Sequence, residues 1–135
     1  MFEAAELDHT VAKADYKREE AELRRALLEA QRALGEQRRF PVLILIAGVE
    51  GAGKSETVHL LNEWLDPRFI EVTGFALPTE EEAAHPPNWR FWKALPPKGR
   101  IGVFFGAWQT MPILERVLGD LGAGGFAARM EGIMR

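Results

Sequence analysis

Phe40-Pro41-Val42-Leu43-Ile44-Leu45-Ile46-Ala47-Gly48-Val49-Glu50-Gly51-Ala52-Gly53-Lys54-Ser55, continued by an amphipathic run to Leu65, carries more structural information than any other part of this chain. Val42 to Ala47 contains no polar residue, the pattern of a buried strand. The next residues fit G-x-x-x-x-G-K-[ST], the phosphate-binding P-loop, between a predicted strand and a predicted helix as the motif requires. Glycines here let the backbone lie close to phosphate oxygens, so that its N–H groups and the start of the following helix face an anion together. Gly48, Gly51, Ala52, Gly53, Lys54 and Ser55 form the candidate phosphate-binding set. Lys54 brings an ammonium to the outer phosphates, and the Ser55 hydroxyl is a ligand for magnesium. A glycine-rich turn with no ligand is the bland alternative, but such a turn needs neither the lysine nor the serine at these offsets.

Working outward, a length of 135 residues allows one domain with one core. Hydrophobic content of 47% and charged content of 27% are those of an ordinary globular chain, which excludes a disordered or fibrous one. The net charge of -3 gives no basic footprint over the whole protein, so no nucleic-acid partner is expected. Absence of cysteine removes disulfides, thiolate zinc sites and a cysteine nucleophile together. Met1-Phe2-Glu3-Ala4-Ala5-Glu6 is acidic where a signal peptide is basic and then apolar, and no apolar run approaches the length of a membrane span. A cytoplasmic protein without a membrane partner is expected.

Residues 1 to 12 read as an arm. Ala14 to Gln37 contains helix formers with no proline, and Leu23, Leu27, Ala30 and Leu34 draw one apolar stripe along a long helix. Its charged remainder is either a solvated face or a basic guide for a polyanion. After the loop, Val58, Leu61 and Leu65 line a helix that Asp66-Pro67 stops. Phe69 to Phe75 is a second strand, and Ile101 to Phe105 a third. Between them lie an acidic, proline-interrupted loop, a helix start capped by Thr79 or Asn88, and a short helix from Trp89 to Leu95. Thr110 with Pro112 opens a helix to about Leu118. A glycine-rich connector, Gly119 to Gly125, leads to a last piece, Phe126 to Met134. This alternation of strand and helix predicts an α/β fold: a three-layer P-loop kinase-like domain with a parallel sheet over 40–135, preceded by the arm and long helix of 1–39. Ligand then sits at the carboxyl ends of the strands.

Leu43-Ile44-Leu45-Ile46-Ala47-Gly48 with the loop, Leu77-Pro78-Thr79-Glu80-Glu81-Glu82, Trp89-Arg90-Phe91-Trp92-Lys93-Ala94-Leu95-Pro96 and Gly99-Arg100-Ile101-Gly102-Val103-Phe104-Phe105 occur in an order that resembles the second polyphosphate kinase family. The resemblance runs from about Tyr16 to the end of the chain. It implies a P-loop phosphotransferase that uses inorganic polyphosphate as phosphoryl donor to AMP or ADP, with Mg2+. It also implies that Lys54, Glu50 and Arg90 serve catalysis, Arg90 at the acceptor, and that Ser55 and Glu50 hold the metal. The chain departs from the family in three places. Glu50 stands where an aspartate is usual, Ser55 where a glycine is frequent, and Gly106-Ala107-Trp108 where the third strand otherwise ends in an acid and an arginine. The family's next core strand and basic lid are also not found before Arg135. The resemblance is therefore to the amino-terminal P-loop domain of a tandem member, truncated, and a homo-oligomer is expected.

Weaker signals have two readings each. Arg90 is an acceptor ligand or a solvent-facing arginine. Trp89, Phe91, Trp92 and Trp108 are core or a base-stacking surface, and Glu80, Glu81 and Glu82 a solvated run or a metal or acceptor site. His59 and His85 lack metal-ligand spacing and read as structural. Two functional expectations follow: a polyphosphate:nucleotide phosphotransferase, or a degenerate P-loop domain that binds polyphosphate or nucleotide, or supports assembly, without turnover. A small kinase using ATP draws support from the loop alone.

Overall fold

A computed structural model describes residues 10–48, 50–86 and 88–134. Most of the expected arm, together with Val49 of the loop, lies outside the described residues. Helix α1, Lys13–Gln37, forms where the sequence offers helix formers and no proline. It ends at Arg38, whose backbone is left-handed at φ 47° and whose N–H donates to the Leu34 carbonyl (3.0 Å). Glycine or asparagine is the usual occupant of such a position, and an arginine there costs about 1 kcal/mol.

Strands β1 (Val42–Ile46), β2 (Ile70–Gly74) and β3 (Ile101–Phe105) form one parallel sheet in the order β1-β3-β2. Val42, Ile101 and Ile70 stand side by side across it, as do Ile44, Val103 and Val72. On this face Ile70, Ile101 and Val103 form the core with Leu65, and α1 and α2 (Lys54–Trp64) cover it through Leu27, Leu34, Val58 and Leu61. Phe104, fully buried, points to the other face and is ringed by Phe75 and Trp108, with Phe91 of α4 (Trp89–Lys93) completing the cluster. Gly102 is there because a Cβ would lie 2.9 Å from the Pro96 ring. Helices on both faces of a parallel sheet are the three-layer architecture expected.

Helix α3, Glu80–Ala83, is a single turn closed by a capping box: Thr79 Oγ1 accepts from Glu82 N–H (3.2 Å) and Glu82 Oε2 from Thr79 N–H (2.9 Å). Thr79 is thus the side chain that caps, whereas Asn88 precedes α4 without a side-chain cap. Helix α5, Thr110–Leu118, has the expected bounds. Helix α6, Ala123–Met134, begins inside the glycine-rich stretch read as a connector. The side chain of Leu121 folds over Gly125, where a Cβ would meet Leu121 Cδ1 at 2.9 Å, so contact with a small residue outweighs glycine's poor helix propensity.

The apolar stripe of α1 engages only in part. Leu27 and Leu34 pack on the core, but Leu23 is half exposed. Between them sits Gln31, 4% exposed, whose Nε2 donates to the Asp66 carbonyl (3.1 Å) while its Oε1 accepts from Asp66 N–H (2.8 Å). This pair ties α1 to the turn that ends α2. Hydrogen bonds from Arg68 hold the Asp66 carboxyl below the usual carboxylate range. The stabilisation is present above the unfolded-state pKa and is lost as pH falls through the folded one. Replacing Gln31 by Ala leaves the Asp66 N–H without its partner, while the Asp66 carbonyl keeps the Phe69 N–H (3.1 Å), so Gln31→Ala should lower the unfolding free energy by about 1 to 2 kcal/mol. Chemical denaturation measures this directly, and an unchanged midpoint would show that the carboxamide is not the tie described.

Candidate functional site

The site lies at the carboxyl ends of the three strands. Gly106 N–H donates to the Ile46 carbonyl (3.0 Å) and Phe75 N–H to the Phe105 carbonyl (3.2 Å), so the segments leaving β1, β2 and β3 are fastened at one level. From β1 the chain turns through the loop into α2. Gly51 and Gly53 have φ of 78° and 76°, which an L side chain adopts only with strain. Gly53 is the N-cap of α2 and accepts from Thr57 through both its backbone N–H and its hydroxyl, each at 3.0 Å. Having no side chain to cap the helix, Gly53 leaves the first amides of α2 directed at the loop.

Lys54 reaches back across the loop, where its Nζ donates to the Gly48 carbonyl (2.8 Å) and stands 5.9 Å from the centre of the Phe105 ring. The ammonium is thereby held between the ends of β1 and β3. A Cβ on Gly48 would come within 3.4 Å of Ala52 Cβ and 3.7 Å of the Lys54 stem, so the loop closes tightly around the lysine. Glu50 and Ser55, the expected metal ligands, are both exposed, Glu50 at the loop tip and Ser55 one residue into α2. Among the described residues no three acidic or histidine side chains group as a metal site. Magnesium is commonly held by one or two protein oxygens together with substrate phosphates, and a serine hydroxyl with one carboxylate is a donor set of that kind.

At the end of β3, Gly106 has φ 83°, and its turn is fixed by Thr110, whose Oγ1 accepts from Ala107 N–H (2.9 Å) and whose N–H donates to the Ala107 carbonyl (3.0 Å). Glu115, the next acid, pairs with Arg129 of α6 instead. Arg90 is also occupied. Its side chain is 10% exposed, its Nη2 donates to the Ala76 carbonyl (3.0 Å), its Nε lies 3.5 Å from Glu82 Oε1, and Phe75 and Phe91 flank the guanidinium. The buried Nε has no hydrogen-bond partner, and its contact with Glu82 is that of an ion pair. Arg90 therefore fastens α3, α4 and the end of β2 together, and it lines a cleft of about 500 Å³ shared with Asn88, Trp108, Glu115 and Arg129.

The acidic run divides in the same way. Glu82 serves the capping box and Arg90, while Glu81 lies 3.9 Å from Lys93. His85 is stacked on Trp89 (3.9 Å between ring centres), and its Nδ1 lies 3.0 Å from the Glu81 carbonyl. The clamp around Arg90 was not foreseen, although Thr79-x-x-Glu82 is a visible capping signature.

A family model described as polyphosphate kinase 2 matches residues 10–133. The chain is 58% identical over 121 residues to a polyphosphate:AMP phosphotransferase of Pseudomonas aeruginosa, a match covering 90% of this chain and 24% of the relative. A crystal structure of a Pseudomonas aeruginosa PA01 protein described as a polyphosphate kinase 2 superposes with a TM-score of 0.92 at 53% identity, over 97% of this chain and 28% of that one. Polyphosphate kinase 2 from Arthrobacter aurescens TC1 superposes with a TM-score of 0.81 at 29% identity, covering 94% of this chain and 46% of that one. The chain thus spans about a quarter of the length of the curated relative it matches best among these.

Two substitutions separate grip from scaffold. A loop that holds phosphate through Lys54 should lose about tenfold in tripolyphosphate affinity by calorimetry on Lys54→Ala without a drop in thermal stability, because a charge-assisted contact goes while the fold's core is untouched. Arg90→Ala should instead lower the unfolding free energy by about 1 to 3 kcal/mol, since it leaves the Ala76 carbonyl and Glu82 without their partner.

Proposed function

The chain belongs to the polyphosphate kinase 2 family, and from that membership we propose that it is a polyphosphate-dependent nucleotide phosphotransferase of P-loop type, moving a phosphoryl group from polyphosphate to AMP or ADP. The observation that carries this reading is Lys54, held at the mouth of a loop whose glycines and helix start present backbone N–H groups to an anion. AMP is the favoured acceptor, because the relative of 58% identity is a polyphosphate:AMP phosphotransferase.

Phosphoryl transfer asks the protein mainly for alignment and charge neutralisation. The amides around Gly51, Ala52 and Gly53 grip the non-bridging oxygens, and Lys54 exchanges its Gly48 carbonyl for a phosphate oxygen of full negative charge. Ser55 and Glu50 would hold a magnesium ion, which neutralises charge on the phosphoryl group when bound. Arg90, at the wall of the cleft shared with Trp108, supports the acceptor side by fixing Glu82, Ala76 and α4. Among the described residues the sheet ends at β1 and β2 with no further strand paired to either, and Leu45, Val117 and Leu118 are 44%, 76% and 73% exposed. Both features support self-association into a homo-oligomer. No helix among the described residues is long and apolar enough to cross a membrane, and a cytoplasmic setting suits the proposed nucleotide substrate.

A second reading rests on Gly106. With no carboxylate at the end of β3 and a left-handed turn in its place, the chain would bind phosphate or support assembly without turnover. Incubation with polyphosphate, AMP and magnesium distinguishes the two. ADP formation above a Lys54→Ala control is the expected result, and phosphate binding without ADP would establish the second reading.

A further inference from the structure

The amino-terminal end of the sheet, opposite the phosphate loop, carries arginines that the proposed transfer does not use. The 38–41 and 97–100 segments run side by side there, joined by Gly99 N–H to the Phe40 carbonyl (3.0 Å) and Val42 N–H to the Arg100 carbonyl (3.0 Å). Arg38 lies against Gly99, where a Cβ would fall 2.9 Å from Arg38 Cγ. Arg100 Nη1 donates to the Arg68 carbonyl (3.1 Å), and the guanidiniums of Arg68 and Arg100 lie 5.7 and 5.9 Å from the centre of the Phe69 ring. A cleft of about 470 Å³ opens beside them, with Arg32, Arg38 and Arg68 and the acids Glu36 and Asp66 in its wall.

The charges on this face do not cancel. Glu36 pairs with Arg32 (2.9 Å) and Asp66 with Arg68 (2.6 Å). Arg38 and Arg100 meet backbone carbonyls instead of carboxylates, and Lys98 adds a further cation in the same turn. This concentration arises on a chain whose net charge is -3. The fold does not ask for it either, since Arg38 occupies a left-handed position that glycine fills without strain.

We propose that Arg38 and Arg100 form a second, remote binding site for polyphosphate, holding a stretch of the polymer beyond the part gripped at the loop. The inference rests on the proposed function, because polyphosphate is the polymer that the loop would hold. Guanidinium forks match phosphate oxygens, and five-residue strands separate the two sites by only about 17 Å of sheet. A long polymer passing round the sheet can therefore engage both sites at once, and the second contact gains from the first by effective concentration. A three-phosphate chain is too short to do so.

The test compares long-chain polyphosphate with tripolyphosphate, using the purified chain, the double variant Arg38→Gln with Arg100→Gln, and Lys54→Ala. Loss of two exposed charge contacts should weaken long-chain binding about tenfold and flatten its salt dependence, while tripolyphosphate affinity stays within twofold. Wild-type long-chain affinity in the double variant, with an unchanged thermal transition, would overturn the remote site and leave the loop reading intact. Failure of tripolyphosphate to bind wild-type protein would overturn the loop reading, and the remote site would still stand if the double variant lost long-chain binding. An Arg38→Lys with Arg100→Lys variant, which keeps both charges, should recover most of the affinity if the double variant proves unstable, and no recovery would count against the site. Equal affinity for a single-stranded oligonucleotide of matched charge would overturn polyphosphate as the occupant.

Discussion

β3 is the constraint on which the rest of the molecule depends. It hydrogen-bonds to both other strands, and Ile101, Gly102, Val103 and Phe104 are buried. A strand covered on both faces forces the helices into two layers, so α1 and α2 close one side while Phe75, Phe91 and Trp108 close the other around Phe104. All three strands run the same way. Every loop with chemistry on it therefore emerges at one end of the sheet, and the returning turns, with their arginines, at the other.

The fold was legible because its signals are local. The apolar runs of β1 and β3, the glycines and lysine between β1 and α2, and the Thr110 and Pro112 start of α5 each report on a few neighbouring residues. What could not be read is pairing between distant residues. Gln31 sits on a helix among charged neighbours, and nothing nearby in sequence announces that its carboxamide will meet the backbone of Asp66, thirty-five residues away. Arg90 has the same character. As a residue type it suggests a phosphate ligand or a solvated cation, and only the folding of Phe75, Ala76 and Glu82 around it gives a third answer. The start of α6 was misjudged for a related reason, since a contact with Leu121 decides where the helix begins.

The two parts of the candidate site also lie on separate elements. The proposed phosphate grip belongs to the β1–α2 connection, in which Gly51, Gly53 and Lys54 are consecutive enough to form a motif. The end of β3 is a separate element, brought alongside by the Gly106 to Ile46 hydrogen bond. The motif is accordingly complete even though the strand beside it is followed by Gly106.

That independence has a physical consequence at Gly106. The position has room, since the nearest atoms to a Cβ would be Thr110 Oγ1 at 3.7 Å and the Phe75 carbonyl at 3.8 Å. Space is therefore not what separates this strand end from one bearing an acid; backbone conformation is. At φ 83° an aspartate would be strained, and relieving the strain means turning the Gly106-Ala107 peptide, whose N–H is bonded to Thr110 Oγ1, next to the Ala107 carbonyl that accepts from Thr110 N–H. Glycine at 106 and threonine at 110 thus act as one unit that sets where α5 begins and how Trp108 reaches Phe104. A carboxylate at this strand end would have to come with a different turn, so the missing acid is a property of the whole β3–α5 connection and not of one residue.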